Sequence, residues 1–153
     1  MPLLPLRRAT PADVECVRDL TRAAYAQWVP LIGREPKPMT ADYGHAVAHH
    51  IIDIVEDGGR AVALIEMIPA PSHLLIENIA VRPDAQGRGL GGRLVAHAED
   101  VARSLGLRDV RLYTNARFES NIAFYARRGF EETRRDQVPV GVVVYMQKAI
   151  SAP

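Results

Sequence analysis

The stretch Gln86-Gly87-Arg88-Gly89-Leu90-Gly91-Gly92 is the most informative part of this 153-residue sequence. It places four glycines at the start of a predicted helix, where each glycine costs about 1 kcal/mol relative to alanine. Glycine lets the backbone approach a bound group closely because it has no side chain. The first turn of a helix also offers unpaired N–H groups and a partial positive charge, and both attract phosphate. The stretch therefore predicts a loop whose backbone N–H groups bind a phosphate-bearing molecule.

The charges beside the glycines support this interpretation. Arg88 and Arg93 stand near the first turn of the predicted helix, where the helix dipole disfavours cations. A bound polyanion makes that placement favourable, and departures from local rules often mark functional sites. A flexible turn with solvated arginines is the simpler alternative that the loop by itself leaves open.

Outward from the loop, hydrophobic periodicity and turn residues predict the element order β-α-α-β-β-β-α-β-α-β-β. Short turns join most successive strands, which predicts a mixed α/β (α+β) fold whose central sheet is mostly antiparallel and flanked by helices. A helix at 88–105 connects the strands at 74–81 and 110–114, and such a crossover predicts one parallel pair. The other predicted segments are an edge strand at 3–8, a helix from 10 to about 29, a loop at 31–39, a helix at 40–50, strands at 51–56 and 60–68, a helix from 119 or 120 to 129, and strands at 130–135 and 140–147.

Residues 87–92 also match G-x-G-x-x-G, the fingerprint of dinucleotide-binding proteins. In that fold the glycines follow a strand directly and an acidic residue at the end of the next strand binds the ribose. Here residues 82–86 intervene, and Asp109 lies before the next predicted strand rather than after it. A dinucleotide-binding oxidoreductase is therefore the weaker of the two interpretations.

Two separated motifs resemble those of the GNAT N-acetyltransferase superfamily. The first is Gln86-x-x-Gly89-x-Gly91, preceded by Val81-Arg82-Pro83, and the second is Asn121-Ile122-Ala123-Phe124-Tyr125-Ala126-Arg127-Arg128-Gly129-Phe130. The resemblance covers residues 74–132. It implies a fold in which the parallel strands 74–81 and 110–114 splay apart, with acetyl-CoA, the co-substrate, entering the gap. It also implies no metal and allows a homodimer, since similar proteins commonly form one.

The resemblance assigns acetyl-CoA contacts residue by residue. Backbone of Ile79, Ala80 and Val81 would bind the pantetheine arm as an added strand would. Backbone of the loop would bind the pyrophosphate, with Gln86, Gly87, Arg88, Gly89, Leu90, Gly91 and Gly92 as the residues concerned. Asn121 would contact the CoA arm, and Tyr125 would lie near the thioester sulfur.

Acyl transfer to an amine raises two proton problems. The amine has a pKa near 10 and must lose a proton before it attacks, and the departing thiolate must be stabilised or protonated. Tyr125 is the predicted acid, although it could instead be a core aromatic of an amphipathic helix. Glu77, which interrupts an apolar strand, is the predicted base, with ordered water as the alternative. A strand N–H, from Ile79 or Ala80, would stabilise the oxyanion.

The acceptor should contact the first two helices and the loop between them. Tyr25, Trp28 and Tyr43 are the predicted walls of its site, although Tyr25 and Trp28 could equally be core residues. His45, His49 and His50 are interpreted as surface or acceptor-side residues, because no acidic third ligand or His-Glu-x-x-His pattern accompanies them. These residues do not identify the amine.

Composition limits the remaining classes. Apolar residues make up 48% and charged residues 24% of the sequence, which is typical of a globular protein, and 153 residues suit a single acetyltransferase domain spanning 1–153. A net charge of +1 argues against nucleic acid as a partner. No apolar run approaches the ~20 residues of a membrane span, no signal peptide is recognisable, and the single Cys16 cannot form an internal disulfide. We therefore expect a cytoplasmic protein without a membrane partner.

The sequence thus predicts an N-acetyltransferase that transfers the acetyl group of acetyl-CoA to a primary amine, of a small molecule or a peptide, by direct attack in a ternary complex. A non-catalytic module that binds or senses acyl-CoA is the main alternative, because a sequence does not measure turnover.

Overall fold

A computed structural model describes residues 3–151. The strands are β1 (Leu6–Arg8), β2 (Ile51–Asp57), β3 (Arg60–Pro69), β4 (His73–Val81), β5 (Asp109–Asn115), β6 (Glu131–Val138) and β7 (Gly141–Ala149). The helices are α1 (Val14–Tyr25), α2 (Val29–Ile32), α3 (Lys37–Thr40), α4 (Tyr43–His49), α5 (Leu90–Ser104) and α6 (Glu119–Ala126). Short 3₁₀ turns lie at Pro11–Asp13, Ala26–Trp28 and Pro83–Ala85.

The strands form a seven-stranded sheet in the order β1-β2-β3-β4-β5-β7-β6. Every neighbouring pair is antiparallel except β4 and β5, which are parallel and joined by α5. The predicted mixed fold, with a mostly antiparallel sheet and one crossover, is confirmed.

Helices cover both faces of the sheet because their apolar residues recur at helical spacing. On one face α5 buries Leu90, Leu94, Val95, Ala98 and Ala102. On the other face α1 buries Val17, Leu20, Thr21 and Ala24, and α4 buries Tyr43 and Ala46 beside them. We call these the α5 face and the α1 face.

Two segments near the N-terminus differ from the prediction. The predicted loop at 31–39 includes the end of α2 and the start of α3, because Pro30 and Pro38 lie in the first turns of these helices, where proline is tolerated. Gly33 ends α2 with a φ of 73°. The predicted strand at 3–8 is confined to Leu6–Arg8 at the sheet edge; Pro5, just before it, has no N–H to donate, although its carbonyl accepts from Glu56 at 3.1 Å.

A β-bulge at Glu77 determines which side chains of β4 point toward α1 and which point toward α5. Glu66 of β3 pairs with Asn78, but the next residue, Met67, pairs with Ile76, so Glu77 has no partner. A one-residue insertion exchanges the two faces of a strand. Leu74 and Ile76 therefore belong to the core under α5, whereas Ala80 belongs to the core under α1 and Asn78 bonds to Thr21 of α1.

The parallel strands β4 and β5 separate in the middle of the sheet. Their pairing begins at His73 and Asp109 and stops at Ile76 and Leu112, although β4 continues to Val81 and β5 to Asn115. The predicted splay is confirmed, and it leaves one edge of β4 without a strand partner beyond Ile76.

Candidate active site

The unpaired edge of β4 exposes the backbone groups of alternate residues. The amide of Arg82 donates to the carbonyl of Val62 on β3 at 2.9 Å. Because backbone direction alternates along an antiparallel strand, Ala80 also faces β3, and Ile79 and Val81 face the gap. The hydroxyl of Tyr25 donates to the carbonyl of Ile79 at 3.4 Å, which agrees with this direction. Of residues 79–81, Ile79 and Val81 can therefore bind an extended ligand in the gap.

The glycine loop lies directly after this edge. Gly87 and Gly89 have φ values of 83° and 76°, in the left-handed region where side chains are strained, and Gly89 is the N-cap of α5. Arg88 is exposed and its Nη1 lies 3.1 Å from the carboxylate of Asp57. Arg93 forms no ion pair within residues 3–151 and stays available to an anion. These features fit a pyrophosphate at the N-terminus of α5.

The second pair of glycines makes room for α6. A side chain at Gly91 would lie 3.1 Å from the ring of Phe124, and one at Gly92 would lie 2.8 Å from Nη2 of Arg128. The Arg128 guanidinium stacks on the Phe124 ring at 3.7 Å and donates to the Phe124 carbonyl at 3.0 Å. Arg128 is thus a cation held at the first turn of α5. Arg128 belongs to the second motif, but the sequence predicted no role for it.

A cavity of about 460 Å³ opens on the α1 face beside the gap. Residues of β3, β4, β5, α1, α4 and α6 line it, together with the α2–α3 region and the β6–β7 hairpin. Ile79, Asn121 and Tyr125 belong to its wall, so the cavity and the gap are continuous. A ligand arm in the gap can therefore meet a second molecule in the cavity.

Glu77 lies in the cavity wall within a short hydrogen-bonded chain. Its Oε1 accepts from the Tyr113 hydroxyl at 2.6 Å and lies 3.5 Å from Nζ of Lys37. Lys37 in turn donates to the Tyr113 hydroxyl at 2.9 Å. The Glu77 side chain is 19% exposed. Burial, followed by the bond to Glu77, raises the pKa of Tyr113, which keeps this hydroxyl protonated and donating to Glu77.

Tyr125 reaches the cavity from α6. Its ring lies edge-on to Phe124 and Phe130, with centroids 5.1 and 5.6 Å away. Burial raises the pKa of Tyr125 well above its usual range, and Arg128 lowers it only in part. The hydroxyl therefore carries a proton at neutral pH, as an ordinary tyrosine does, and its raised pKa makes it a donor only to a strong base such as a departing thiolate.

A second polar group in the cavity was not predicted from the sequence. The carboxylate of Glu66 lies 2.6 Å from Nδ1 of His50, and its side chain is only 5% exposed. Burial raises the pKa of Glu66, and His50 lowers it in part. Asn78, the cross-strand neighbour of Glu66, is also buried in the cavity wall. In the sequence, this polar group was indicated only by one polar residue within each of two mostly apolar strands, Glu66 in β3 and Asn78 in β4.

The remaining predicted acceptor residues divide into two groups. Tyr25 and Tyr43 line the cavity. Trp28 does not, because its indole stacks on Phe118 with centroids 4.4 Å apart, and Phe118 forms the wall there instead. Cys16 lies half-buried on α1, outside the cavity.

The histidines within α4 and directly after it also differ in position. His45 and His50 line the cavity, whereas His49 does not, although its ring lies 4.3 Å from that of His45. Across the described part of the chain, no three His, Cys, Asp or Glu side chains come together as metal ligands. None of the helices in residues 3–151 combines the length and apolar character that a membrane crossing requires.

Known proteins are similar to this chain in sequence, and solved structures are similar to it in fold. The chain is 29% identical to an amino-acid acetyltransferase of Ralstonia nicotianae over 136 residues, which are 88% of this chain and 28% of that protein. It is 26% identical to the uncharacterized N-acetyltransferase YhfO of Bacillus subtilis, over 83% of this chain and 89% of that one. Among solved structures, the PaiA N-acetyltransferase of Thermoplasma acidophilum in complex with coenzyme A has a TM-score of 0.79 at 14% identity, covering 97% of this chain and 99% of that one.

The extent of these matches varies. The chain spans about a quarter of the length of two of the curated relatives, at 25% and 28%. The sequence model of the Acetyltransferase (GNAT) family matches residues 16–130, from α1 through the second motif. Since that match covers more than half of the 153 residues, this protein belongs to the GNAT acetyltransferase family.

Proposed function

We propose that this protein transfers the acetyl group of acetyl-CoA to a primary amine in a ternary complex, and that residues 1–153 act as one N-acetyltransferase domain. The observation that carries the proposal is the separation of β4 from β5 after Ile76 and Leu112. It leaves Ile79 and Val81 beside a glycine loop on one side and, on the other, a cavity whose wall includes Glu77 and Tyr125. An extended phosphorylated arm and an amine acceptor can therefore meet at this gap.

Acetyl-CoA would supply a thioester, whose carbonyl carbon is the electrophile and whose sulfur is the leaving group. Ile79 and Val81 would bind the pantetheine arm, and Ala80 would position them through its pairing with β3. The loop from Gln86 to Gly92 would bind the pyrophosphate, with Arg93 and Arg128 as further cations. Asn121, in the cavity wall, would contact the arm near the thioester.

The residues around the gap would handle the protons as follows. The amine nitrogen forms a bond to the carbonyl carbon while the carbon–sulfur bond breaks. Glu77 accepts a proton from the nitrogen, Tyr125 donates one to the sulfur, and the proton on Glu77 returns to Tyr125 through solvent. Amine and thioester thus become amide and thiol. The N–H of Ile79 faces the gap and would stabilise the oxyanion.

The acceptor is an amine of a small molecule or a peptide. One solved structure of this fold is the ribosomal-protein-S18-alanine N-acetyltransferase of Escherichia coli, which is 19% identical to this chain. Tyr25 and Tyr43 would contact the acceptor here. We place the protein in the cytoplasm, which the absence of a possible internal disulfide supports, and a homodimer is compatible with the proposal.

Binding and turnover test the proposal separately. We expect acetyl-CoA and CoA, but not NAD(P), to raise the melting temperature, and we expect acetyl-CoA to release a free thiol with some members of an amine panel. A shift with NAD(P) alone would favour a dinucleotide-binding protein. A shift with CoA and no thiol release from any amine would favour a non-catalytic acyl-CoA-binding module.

The role of Glu77 has its own test. Glu77→Gln should lower kcat/KM for the amine by roughly 100-fold at pH 7, as loss of a general base typically does, and leave the Kd for CoA unchanged. Part of the lost rate should return at higher pH, where more amine is already unprotonated. The exposed Glu15→Gln is the control. Normal activity of the Glu77 variant at pH 7 would assign the deprotonation to ordered water.

A further inference from the structure

Two nearly buried polar side chains, Asn78 and Glu66, lie in the wall of the cavity. Asn78 is 2% exposed and Glu66 is 4% exposed, and they are cross-strand neighbours on the same face of β3 and β4. Neighbours of this kind have Cβ atoms about 5 Å apart. Together with His50 they form what we call the cavity floor.

The side-chain oxygen of Asn78 has no hydrogen-bond partner within residues 3–151. The orientation of this amide follows from its neighbours. The Tyr43 hydroxyl donates its proton to the carbonyl of Pro38 at 2.6 Å, so its oxygen can only accept from Asn78. The Asn78 amide nitrogen donates to Tyr43 at 3.4 Å and to Thr21 at 3.2 Å. Its oxygen is thereby left as an unpaired acceptor behind the cavity surface, so a bound molecule reaches it only if neighbouring side chains move, and Glu66 is the acceptor at the floor that a ligand meets first.

Cations line the outer part of the cavity, which we call the mouth. Arg34 and Lys37 extend from the segment between α2 and α3, and the Lys37 side chain is 71% exposed. Lys37 is already bound to Tyr113 and Glu77. Arg34 forms no ion pair in the part of the chain that the structure describes, and its guanidinium donates only to the backbone carbonyl of Glu35 at 3.3 Å.

The acids near Arg34 are engaged elsewhere. The carboxylate of Glu35 binds the Arg22 guanidinium at 2.5 Å. Asp42, which also lines the cavity, accepts from the amide of His45 at 3.1 Å as the N-cap of α4. The half-buried Arg34 guanidinium therefore retains donors for a ligand, and this group binds carboxylates in a planar, two-point geometry.

From these two ends we infer the chemical class of the acceptor: a small amine that carries a carboxylate, as an amino acid does. The inference rests on the proposed acetyl transfer. The amine donates a hydrogen bond to Glu66 at the floor before Glu77 accepts its proton, and the carboxylate binds Arg34 at the mouth. A dication would meet Arg34 and Lys37 at the mouth without compensation, and an uncharged alkylamine would leave Arg34 unused.

The test compares three forms of one acceptor. After a scan of proteinogenic and ω-amino acids, kcat/KM with acetyl-CoA is measured for the best amino acid, for its amide and for the amine that lacks the carboxyl group; 1,5-diaminopentane represents a dication. We expect the amino acid to exceed the other three by roughly 10- to 100-fold, the usual effect of one hydrogen-bonded ion pair. Calorimetric binding of the same amino acid to the CoA-saturated protein gives a second measurement.

Substitution of Arg34 isolates the carboxylate contact. Arg34→Gln should lower kcat/KM for the amino acid by that same factor while leaving the amide and the decarboxylated amine within about twofold of wild type. This comparison cancels the effect of the carboxyl group on the amine pKa. Arg34→Lys should retain part of the preference for the carboxylate. Arg18→Gln, which changes an exposed arginine of α1, is the control and should leave that preference at the wild-type value.

The outcomes separate this inference from the proposed function. Efficient acetylation of amides, alkylamines or the diamine, without preference for a carboxylate, would overturn the acceptor class and leave acetyl transfer intact. An amino-acid preference that persists in Arg34→Gln would also overturn it. A CoA-binding protein that acetylates no amine at all would overturn both.

Discussion

The two halves of the site differ in which part of the chain forms them. The proposed donor side consists of the open edge of β4 and the loop from Gln86 to Gly92, and it would act through backbone N–H groups. The acceptor side is a cavity in which side chains from β3, β4, α4 and the α2–α3 region present charge. A backbone site tolerates changes of side chain but not of backbone conformation, whereas the acceptor side should respond to single polar substitutions.

The largest effect is expected at Gly89, where a substitution would test the donor side directly. Gly89→Val places a β-branched residue at a φ of 76°, which costs about 1–2 kcal/mol and misaligns the N–H groups of the loop. We expect the KM for acetyl-CoA to rise roughly 100-fold or more, as the loss of several charge-assisted hydrogen bonds implies. The KM for the amine should change little.

Gly58→Val is the matched control for that variant. Gly58 lies in the β2–β3 turn with a φ of 59° and open space around it, so the backbone cost is similar. Both variants should lose similar stability in denaturant unfolding, and only Gly89→Val should lose acetyl-CoA. Equal loss of acetyl-CoA affinity in both would show that the loop has no special role in binding.

Tyr125 stands where the two sides meet, and its removal should affect the reaction more than binding of either substrate. Because burial raises the Tyr125 pKa, the wild-type hydroxyl carries a proton at neutral pH. Tyr125→Phe should lower kcat by roughly 100-fold, the lower range of general acid catalysis, with the Kd for CoA almost unchanged. Tyr145→Phe, outside the cavity, is the control. Unchanged turnover and pH profile would make Tyr125 a packing residue.

The smallest effect is expected in the stability of an acceptor-side variant. Burial raises the pKa of Glu66 above that of the unfolded chain, so the protonated form is favoured by folding. The stabilisation by protonated Glu66 is complete below the pKa that this carboxyl has in the unfolded chain. It is lost as the pH rises through the higher pKa of Glu66 in the folded protein. Glu66→Gln replaces the buried carboxylate with a neutral amide, so the folded variant does not bury a charge at neutral pH. Its melting temperature should exceed that of wild type by about 1–3 °C at pH 7.5, and the difference should shrink at pH 4.

Glu66→Gln should also weaken binding of the amine substrate without affecting binding of acetyl-CoA. Gln keeps an oxygen for His50 but loses the charge, so the KM for the amine should rise roughly 10-fold while the KM for acetyl-CoA stays constant. A variant that is less stable at every pH would mean that Glu66 serves the fold rather than the cavity.

Much of the donor side could be predicted from sequence because its determinants are contiguous. The glycines, the crossover helix and the second motif lie within residues 74–132; the first two follow from local backbone preferences, and the second motif was identified by its resemblance to the family. The structure refined the roles within this region. Gly89 supplies a left-handed N-cap, whereas Gly91 and Gly92 admit Phe124 and Arg128.

The acceptor side could be predicted only in outline. Tyr25 and Tyr43 were expected and do line the cavity, but Trp28 packs on Phe118 instead. The pair of Glu66 and His50 was not predicted, because 16 positions separate the two residues and nothing in a strand pattern brings them together. The short helices α2 and α3 were also missed, since proline was interpreted as a helix breaker rather than as a first-turn residue.

The sequence by itself determined the order of the seven strands, the parallel crossover, the position of the glycine loop at the start of α5 and the family. The elements and the loop depend on periodicity and on glycine, whose effects act within a few residues, whereas the family followed from two motifs that resemble its own. Only the tertiary structure decided which side chains meet across the cavity. The bulge at Glu77 turns Asn78 toward α1, and the segment after α2 brings Arg34 to the same cavity. Contacts between residues distant in sequence depend on strand register and helix packing, which no local pattern encodes.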